Sequence, residues 1–348
     1  MFFGLIIFLL SSLLTYLAIS SLLASGKFSS LNDIPNERKI HLVTIPKYGG
    51  ISIVFALTMS TSLILYNTIY DIDIINIFLP LIFSTGIIFI GGLMDDFVDV
   101  SPMIKLTIQF IASCILVLNG LQFELNGLFS FLDKWLFFNE ILSIFLLILF
   151  ANAFNLIDGV DGLAGSITLV ISITIFYLYI HFTIADIYIY SILALAGSLF
   201  IFIYYNWAPA KIFLGDSGSQ LIGWILATNL LTFQLDYNIS SIDNLILFPL
   251  IILSIPVFDV FSVIIKRLHL SSYSIKSIVK ADRVHIHHMI LNVCKSKYLC
   301  VLYLVGLQII ISLIGIFCLL NNCLLAGSII VFLFNLILRI GFDLKNQN

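Results

Sequence analysis

Long apolar runs alternating with short polar connections make up most of the chain. About 17–25 predominantly apolar residues are needed to cross a bilayer as a helix. Such runs lie near residues 2–24, 49–68, 74–93, 104–120, 135–151, 163–181, 185–204, 218–235, 244–265, 298–319 and 322–341. Backbone in hydrocarbon must satisfy its own hydrogen bonds, so these runs predict helices. The expected fold is all-α: a polytopic helical bundle of about eleven transmembrane helices, one integral membrane domain over residues 1–348. No internal repeat or low-complexity segment stands out. The first run, MFFGLIIFLLSSLLTYLAISSLLASGK, has no basic residue before Lys27 and reads as a retained span rather than a cleaved signal.

Composition agrees with the pattern. The chain is 61% hydrophobic and 10% charged, where a soluble domain is about 45–50% apolar and about 25% charged. A net charge of −3 gives no footing for nucleic acid. The five cysteines are scattered without a Cys-x-x-Cys pair, as suits a reduced chain with neither zinc site nor disulfide frame. The basic residues orient the bundle. Lys27, Arg38, Lys39 and Lys47 follow the first run, and Lys105 opens the fourth on the same side. Lys211, the group from Lys266 to Lys297, Arg339 and Lys345 also fall there, and only Lys134 lies opposite. Fifteen of the sixteen Lys and Arg therefore share one face, which the positive-inside rule makes cytoplasmic. The N-terminus is then outside and the C-terminus cytoplasmic.

The unusual polar residues collect in the five connections on that face, 25–48, 94–104, 152–162, 205–217 and 266–297. The first is proline-interrupted and basic, and its Gly49–Gly50 end would let a helix start close against another backbone. A headgroup anchor explains it equally well. The second clusters Asp95, Asp96 and Asp99 before Lys105. On a continuing helix Asp95 and Asp99 would share a face, and carboxylates so close call for a cation among them. The third, NAFNLIDGVDG, spaces Asn155, Asp158 and Asp161 at i, i+3 and i+6, with Gly159 and Gly162 leaving room for a ligand. Oxygen donors from few protein groups suit Mg²⁺ completed by phosphate. The fourth places Asp216 in Gly-Asp-Ser-Gly at a helix start, where an anion-binding turn and a simple N-cap are both readings. The fifth holds DRVHIHHM, whose Arg283, His285, His287 and His288 suit a phosphate clamp better than a transition-metal site.

Taken in order, GGLMDDFVDVSP, NAFNLIDGVDGLAG, FLGDSGS and DRVHIHH closely resemble the polyprenyl-phosphate N-acetylhexosamine-1-phosphate transferases. That membrane family includes the undecaprenyl-phosphate GlcNAc-1-phosphate transferases and the phospho-MurNAc-pentapeptide translocase. The likeness begins at DIPNERKIH, residues 33–41, and covers most of the chain. It implies Mg²⁺-dependent transfer (Mn²⁺ as a substitute) of a sugar-1-phosphate from a UDP-N-acetylhexosamine to undecaprenyl phosphate, releasing UMP. It matches Asn155 and Asp216 to metal ligation, and Asp95, Asp96, Lys105 and Asp158 to catalysis. It matches Gly159, Asp161, Asp259, Arg283, His285, His287, His288, Lys39 and His41 to substrate binding. The His-x-His-His spacing looks like the GlcNAc-1-phosphate branch. After it the chain runs VCKSKYL, without the glycine expected nearby.

The implied setting is the inner (plasma) membrane with the active site facing the cytoplasm, at the first step of a cell-surface polysaccharide. Another UDP-N-acetylhexosamine, for O-antigen or capsule, is the nearest alternative. A homodimer is left open. A transporter would also explain carboxylates near a membrane, but transporters carry repeats and midplane charges that this sequence lacks. An inactive scaffold is disfavoured because every motif acid is present.

Overall fold

The computed structural model describes residues 2–26, 29–33, 43–68, 72–125, 130–132, 135–235, 242–270 and 285–347. Lys39, His41 and Arg283 lie outside them. The helices are α1 (Phe2–Ser25), α2 (Gly49–Thr68), α3 (Ile72–Val98), α4 (Pro102–Leu118), α5 (Phe138–Ile157), α6 (Leu163–His181) and α7 (Asp186–Asn206). They continue as α8 (Gly215–Leu235), α9 (Leu247–Ile252), α10 (Ser254–Leu270), α11 (Ile286–Cys294), α12 (Lys297–Leu320) and α13 (Leu324–Gln347). A two-residue ribbon, β1 (Asn32–Asp33) antiparallel to β2 (Ile45–Pro46), is the sole sheet among the described residues. The protein is a polytopic membrane helical bundle.

Each of the eleven apolar runs falls on helix. Eight of those helices are long and apolar enough by themselves to cross a membrane: α1, α2, α3, α5, α6, α7, α12 and α13. The other three runs have separate explanations. α4 is apolar but shorter. The ninth run is broken in two, because Pro256 has no N–H for the carbonyl of Ile252 one turn earlier. Gln308 of α12 donates to that carbonyl at 3.0 Å, so the break is satisfied from a neighbouring helix, as a break inside a membrane requires. α8 is too polar on average to read as a lipid-facing helix. It packs against α2, α3, α5 and α6, and Gln220, Thr228, Asn229, Thr232 and Gln234 are buried alongside Leu221 and Trp224. Its polar side chains meet protein rather than hydrocarbon.

Two helices approach α8 so closely that only glycine fits. A side-chain carbon on Gly92 of α3 would lie 2.6 Å from the Ser217 Cα, and one on Gly50 of α2 would lie 2.5 Å from the Gly218 nitrogen. Strand-like pairing carries α2 to that point: Phe213 N–H donates to Pro46 at 2.8 Å, Gly49 N–H to Phe213 at 2.9 Å and Gly50 N–H to Leu214 at 2.9 Å. The start of α8 is thus gripped from two sides.

Replacing Gln308 by Met keeps its volume but leaves the Ile252 carbonyl unpaired. A loss of about 1–3 kcal/mol is expected, read as a lower unfolding temperature in detergent or lipid nanodiscs. An unchanged temperature would show that this hydrogen bond does not hold the α9–α10 break.

Candidate active site

Helix α8 begins part-buried, so its first N–H groups need acceptors outside the helix. Asp96, near the end of α3, supplies both: its Oδ1 accepts from Asp216 N–H and its Oδ2 from Ser217 N–H, each at 2.9 Å. A carboxylate at a helix N-terminus is also favoured by the helix dipole. Lys47 balances the charge, its Nζ 3.3 Å from Asp96 Oδ1. Burial alone would lower the Lys47 pKa, but Asp96, Asp216 and Asp33 together outweigh it and raise it. Asp216 lies in the first turn of α8; the capping carboxylate belongs to another helix.

Held this way, the Asp216 side chain faces two further helices. Its Oδ1 accepts from Asn155 Nδ2 of α5 at 3.0 Å, and its Oδ2 from Lys105 Nζ of α4 at 3.0 Å. Asn155 Nδ2 also donates to Ser219 Oγ at 2.8 Å. Lys105 is in direct ion-pair contact with Asp95 as well, whose other oxygen accepts from Val100 N–H at 2.8 Å. Of the clustered carboxylates, Asp95 thus pairs with Lys105 and Asp96 with Lys47. The shared face expected for Asp95 and Asp99 is not formed: α3 stops at Val98 and Asp99 turns left-handed, with φ 49°.

The third motif also departs from one continuous helix. α5 ends at Ile157, Asp158 is its C-cap, and residues 158–162 turn. Asn155, Asp158 and Asp161 reach the same cavity through that turn rather than through helical periodicity. The cavity holds about 280 Å³ and is lined by Asn155, Asp158, Gly159, Asp161, Asp216 and His288, together with Asp33, Lys47, Asn206 and Lys297. Asp161 accepts from Lys297 Nζ at 2.9 Å and from Ala210 N–H at 3.3 Å. Asn206 fixes the turn, accepting from Gly162 N–H and donating to Ile212, each at 2.8 Å.

Asp158 differs from its neighbours. Among the described residues it has neither ion pair nor hydrogen bond, although it borders the cavity. Burial first, then repulsion by Asp216, Asp96 and Asp161, pushes its carboxyl well above the ordinary range.

The histidines divide. His288 lines the cavity. His285 and His287 stand behind it as parallel rings with centroids 5.6 Å apart. Asp259 of α10 holds this group: its Oδ2 meets His285 Nδ1 at 2.8 Å, and its Oδ1 accepts from Ile286 N–H at 2.7 Å and Arg339 at 3.2 Å. His287 is buried against Gly159, whose missing side chain leaves the imidazole its place. Burial lowers its pKa to about 3, with His288 and His285 adding to the effect against Asp259. The cationic character expected of the cluster does not extend to His287.

Two cavity cations, Lys47 and Lys297, carried no site expectation. Their only sequence signal was membership of the basic face. Among the described residues no three His, Cys, Asp or Glu side chains form a metal cage. The available donors are oxygens: the carboxylates of Asp216 and Asp158 and the amide of Asn155. That set is too small for an all-protein site but fits a hard divalent cation that keeps water and phosphate ligands.

Residues 78–234 match glycosyl transferase family 4, and the chain belongs to that family. It is 30% identical over 281 residues to the undecaprenyl-phosphate alpha-N-acetylglucosaminyl 1-phosphate transferase of Escherichia coli K12, covering 77% of this chain and 71% of that protein. It is 29% identical over 288 residues to a probable undecaprenyl-phosphate N-acetylglucosaminyl 1-phosphate transferase of Bacillus subtilis 168, covering 81% and 76%. It is 27% identical over 290 residues to the decaprenyl-phosphate N-acetylglucosaminephosphotransferase of Mycobacterium leprae, covering 75% and 70%.

Removing the cap should loosen α8 from its start. In Asp96→Ala, amide exchange at Asp216 and Ser217 is expected to accelerate about tenfold or more, since an orphaned buried amide costs about 1–3 kcal/mol. Parent-like exchange would contradict the capping role. Asp158 supplies a pH test. Its folded pKa lies above its unfolded value, so between the two the folded chain holds a proton the unfolded chain has released. Stability is fully present below the ordinary carboxylate pKa and is lost as pH rises through that window. In chelator-treated protein, Asp158→Asn should melt above the parent at neutral pH and level with it near about pH 3. A parent–variant difference that stays constant with pH would rule out the raised pKa.

Proposed function

We propose that this chain transfers an N-acetylhexosamine-1-phosphate, GlcNAc-1-phosphate foremost, from a UDP-sugar to undecaprenyl phosphate. UMP is released, and the lipid product begins a cell-surface polysaccharide. One observation carries the reading. Asp158, which has no partner among the described residues, Asn155, Asp216 and two lysines converge on one cavity at one end of a membrane bundle, with Lys105 bonded to Asp216 behind it. A soluble diphosphate and a lipid phosphate can meet there. The lipid acceptors named for the relatives support the acceptor, and the basic face supports a cavity on the cytoplasmic side of the plasma membrane.

In this reaction an oxygen of the lipid phosphate attacks the β-phosphorus of the UDP-sugar. The new P–O bond forms as the bond to the UMP oxygen breaks. Asp158, with its raised carboxyl and no partner among the described residues, is suited to take the proton of the lipid phosphate. Lys47 and Lys297 face the same space and offset diphosphate charge. Lys105 keeps the Asp216 carboxylate aimed at the cavity. Asp216 and Asn155 would hold Mg²⁺, or Mn²⁺ in its place, which supplies charge neutralisation at the diphosphate oxygens when bound.

Purified protein given radiolabelled UDP-GlcNAc and undecaprenyl phosphate should move label into organic-extractable lipid. Asp216→Ala is expected to lose about 100-fold or more of that rate, as removal of one charge-stabilising group does elsewhere. Near-parental transfer by the variant would sink the role given to Asp216, and no transfer by the parent from any UDP-N-acetylhexosamine would sink the reaction.

A further inference from the structure

One helical turn deeper than the Lys105, Asn155 and Asp216 group lies a second set of side chains on the same three helices. Gln109 follows Lys105 by four residues on α4, Gln220 follows Asp216 by four on α8, and Asn152 precedes Asn155 by three on α5. Residues three or four apart share a helix face, so the deeper set underlies the upper one. Gln109 bonds to each of the other two. Gln109 Nε2 donates to Gln220 Oε1 at 2.9 Å and to Asn152 Oδ1 at 3.4 Å. Asn152 Nδ2 returns a bond to Gln109 Oε1 at 2.7 Å and reaches its own helix at Ile148, 2.8 Å away. Gln109 is fully buried and Gln220 nearly so.

We propose that Gln109, Asn152 and Gln220 are positioning residues for the transfer reaction: a hydrogen-bonded amide clasp that sets the rotation of α4, α5 and α8. The inference rests on the reaction proposed above. Amides buried in an apolar bundle are costly unless each finds its partner, and only a narrow range of helix rotations lets all three do so. Lys105, Asn155 and Asp216 project from the same helices one turn above, so the rotation that satisfies the clasp is the rotation that brings them to one carboxylate. A clasp that only strengthened the bundle would have no reason to track the site's register. An apolar layer packs without choosing a rotation, and this layer cannot.

The test separates positioning from stability. Gln109→Met keeps the side-chain volume and removes the bonds; kcat for labelled transfer should fall about 10- to 100-fold with KM for UDP-GlcNAc changed less than about threefold. Gln220→Met, which loses a single contact with Gln109, serves as the milder variant and should fall less. Exchanging the two side chains, Gln109→Asn with Asn152→Gln, restores the total reach across α4 and α5 and should recover most of kcat. Melting temperature is recorded for each variant, and unchanged kcat in Gln109→Met, whether or not it is destabilised, would overturn the proposal. So would a failure of the exchange to exceed Gln109→Met. A second readout needs no substrate. In a cysteine-free background carrying Lys105→Cys and Asp216→Cys, a short bifunctional thiol reagent should link the two sites about tenfold more slowly once Gln109→Met is added. An unchanged linking rate would overturn the clasp, whereas a parent that transfers nothing while linking responds to Gln109→Met would overturn only the reaction.

Discussion

The start of α8 is a helix N-terminus part-buried between α2 and α3, and the rest of the site follows from how it is satisfied. Free N–H groups inside a membrane protein cost several kcal/mol each, and the Asp96 carboxylate takes two of them at once. Doing so brings a negative charge into the bundle, which Lys47 balances. It also pins the first turn of α8, where Asp216 sits, against α3. Gly92 and Gly50 are the steric counterpart, because the cap can reach only if α2 and α3 come within backbone contact. One hydrogen-bonding need thus determines where a carboxylate is displayed and which lysine is drawn inward.

The same device recurs on the other side of the cavity. Asp259 of α10 accepts from the Ile286 N–H that opens α11 and holds His285 through its second oxygen, with Arg339 of α13 alongside. In both places a carboxylate from one helix starts the helix that carries site residues. The cost is that these acids are committed. Asp95, Asp96 and Asp259 are engaged with backbone N–H groups and cations, and Asp161 with Lys297. Of the carboxylates lining the cavity, Asp158 alone has no such partner among the described residues. Structural and reactive carboxylates, indistinguishable by residue type, separate once their partners are known.

The helices were legible because lipid leaves the chain little choice: a run long enough and apolar enough must be helical, and all eleven runs are. α8 was found despite its polarity because its neighbours shield it. The limits appeared where packing decides. Extending α3 through Asp99, and α5 through Asp161, follows from spacing alone, but a left-handed Asp99 and a turn after Ile157 end them. The motif acids were visible as a group and their division of labour was not, because a cap supplied by another helix leaves no trace in local sequence. Lys47 and Lys297 were visible only as positive charges of one membrane face. Lys297 lies in VCKSKYL, the stretch that departs from the family pattern, and there it reaches Asp161. Gln109 and Gln220 were passed over inside apolar runs, although an amide in such a run is expensive enough to ask what it bonds.

The charge around the cavity bears on how the proposed reaction must proceed. Among the described residues four carboxylates, Asp33, Asp158, Asp161 and Asp216, line it against two lysines, and Lys105 behind Asp216 is shared with Asp95. A diphosphate entering that space would meet an excess of negative charge, and the lipid phosphate would add more. At an effective dielectric near 20, two unit charges about 4 Å apart interact by about 4 kcal/mol, so several such pairs would exclude both substrates. A proton retained on Asp158 relieves part of this, consistent with its raised carboxyl, but that proton has to leave before the residue can act as a base. A divalent cation held by Asp216 and Asn155, as proposed, would relieve the rest, and its positive charge would also favour the ionised form of Asp158. By the charge of its described residues, the cavity would bind the proposed nucleotide sugar better together with a metal than without one. Nucleotide affinity without metal is then the quantity most sensitive to this balance of charge.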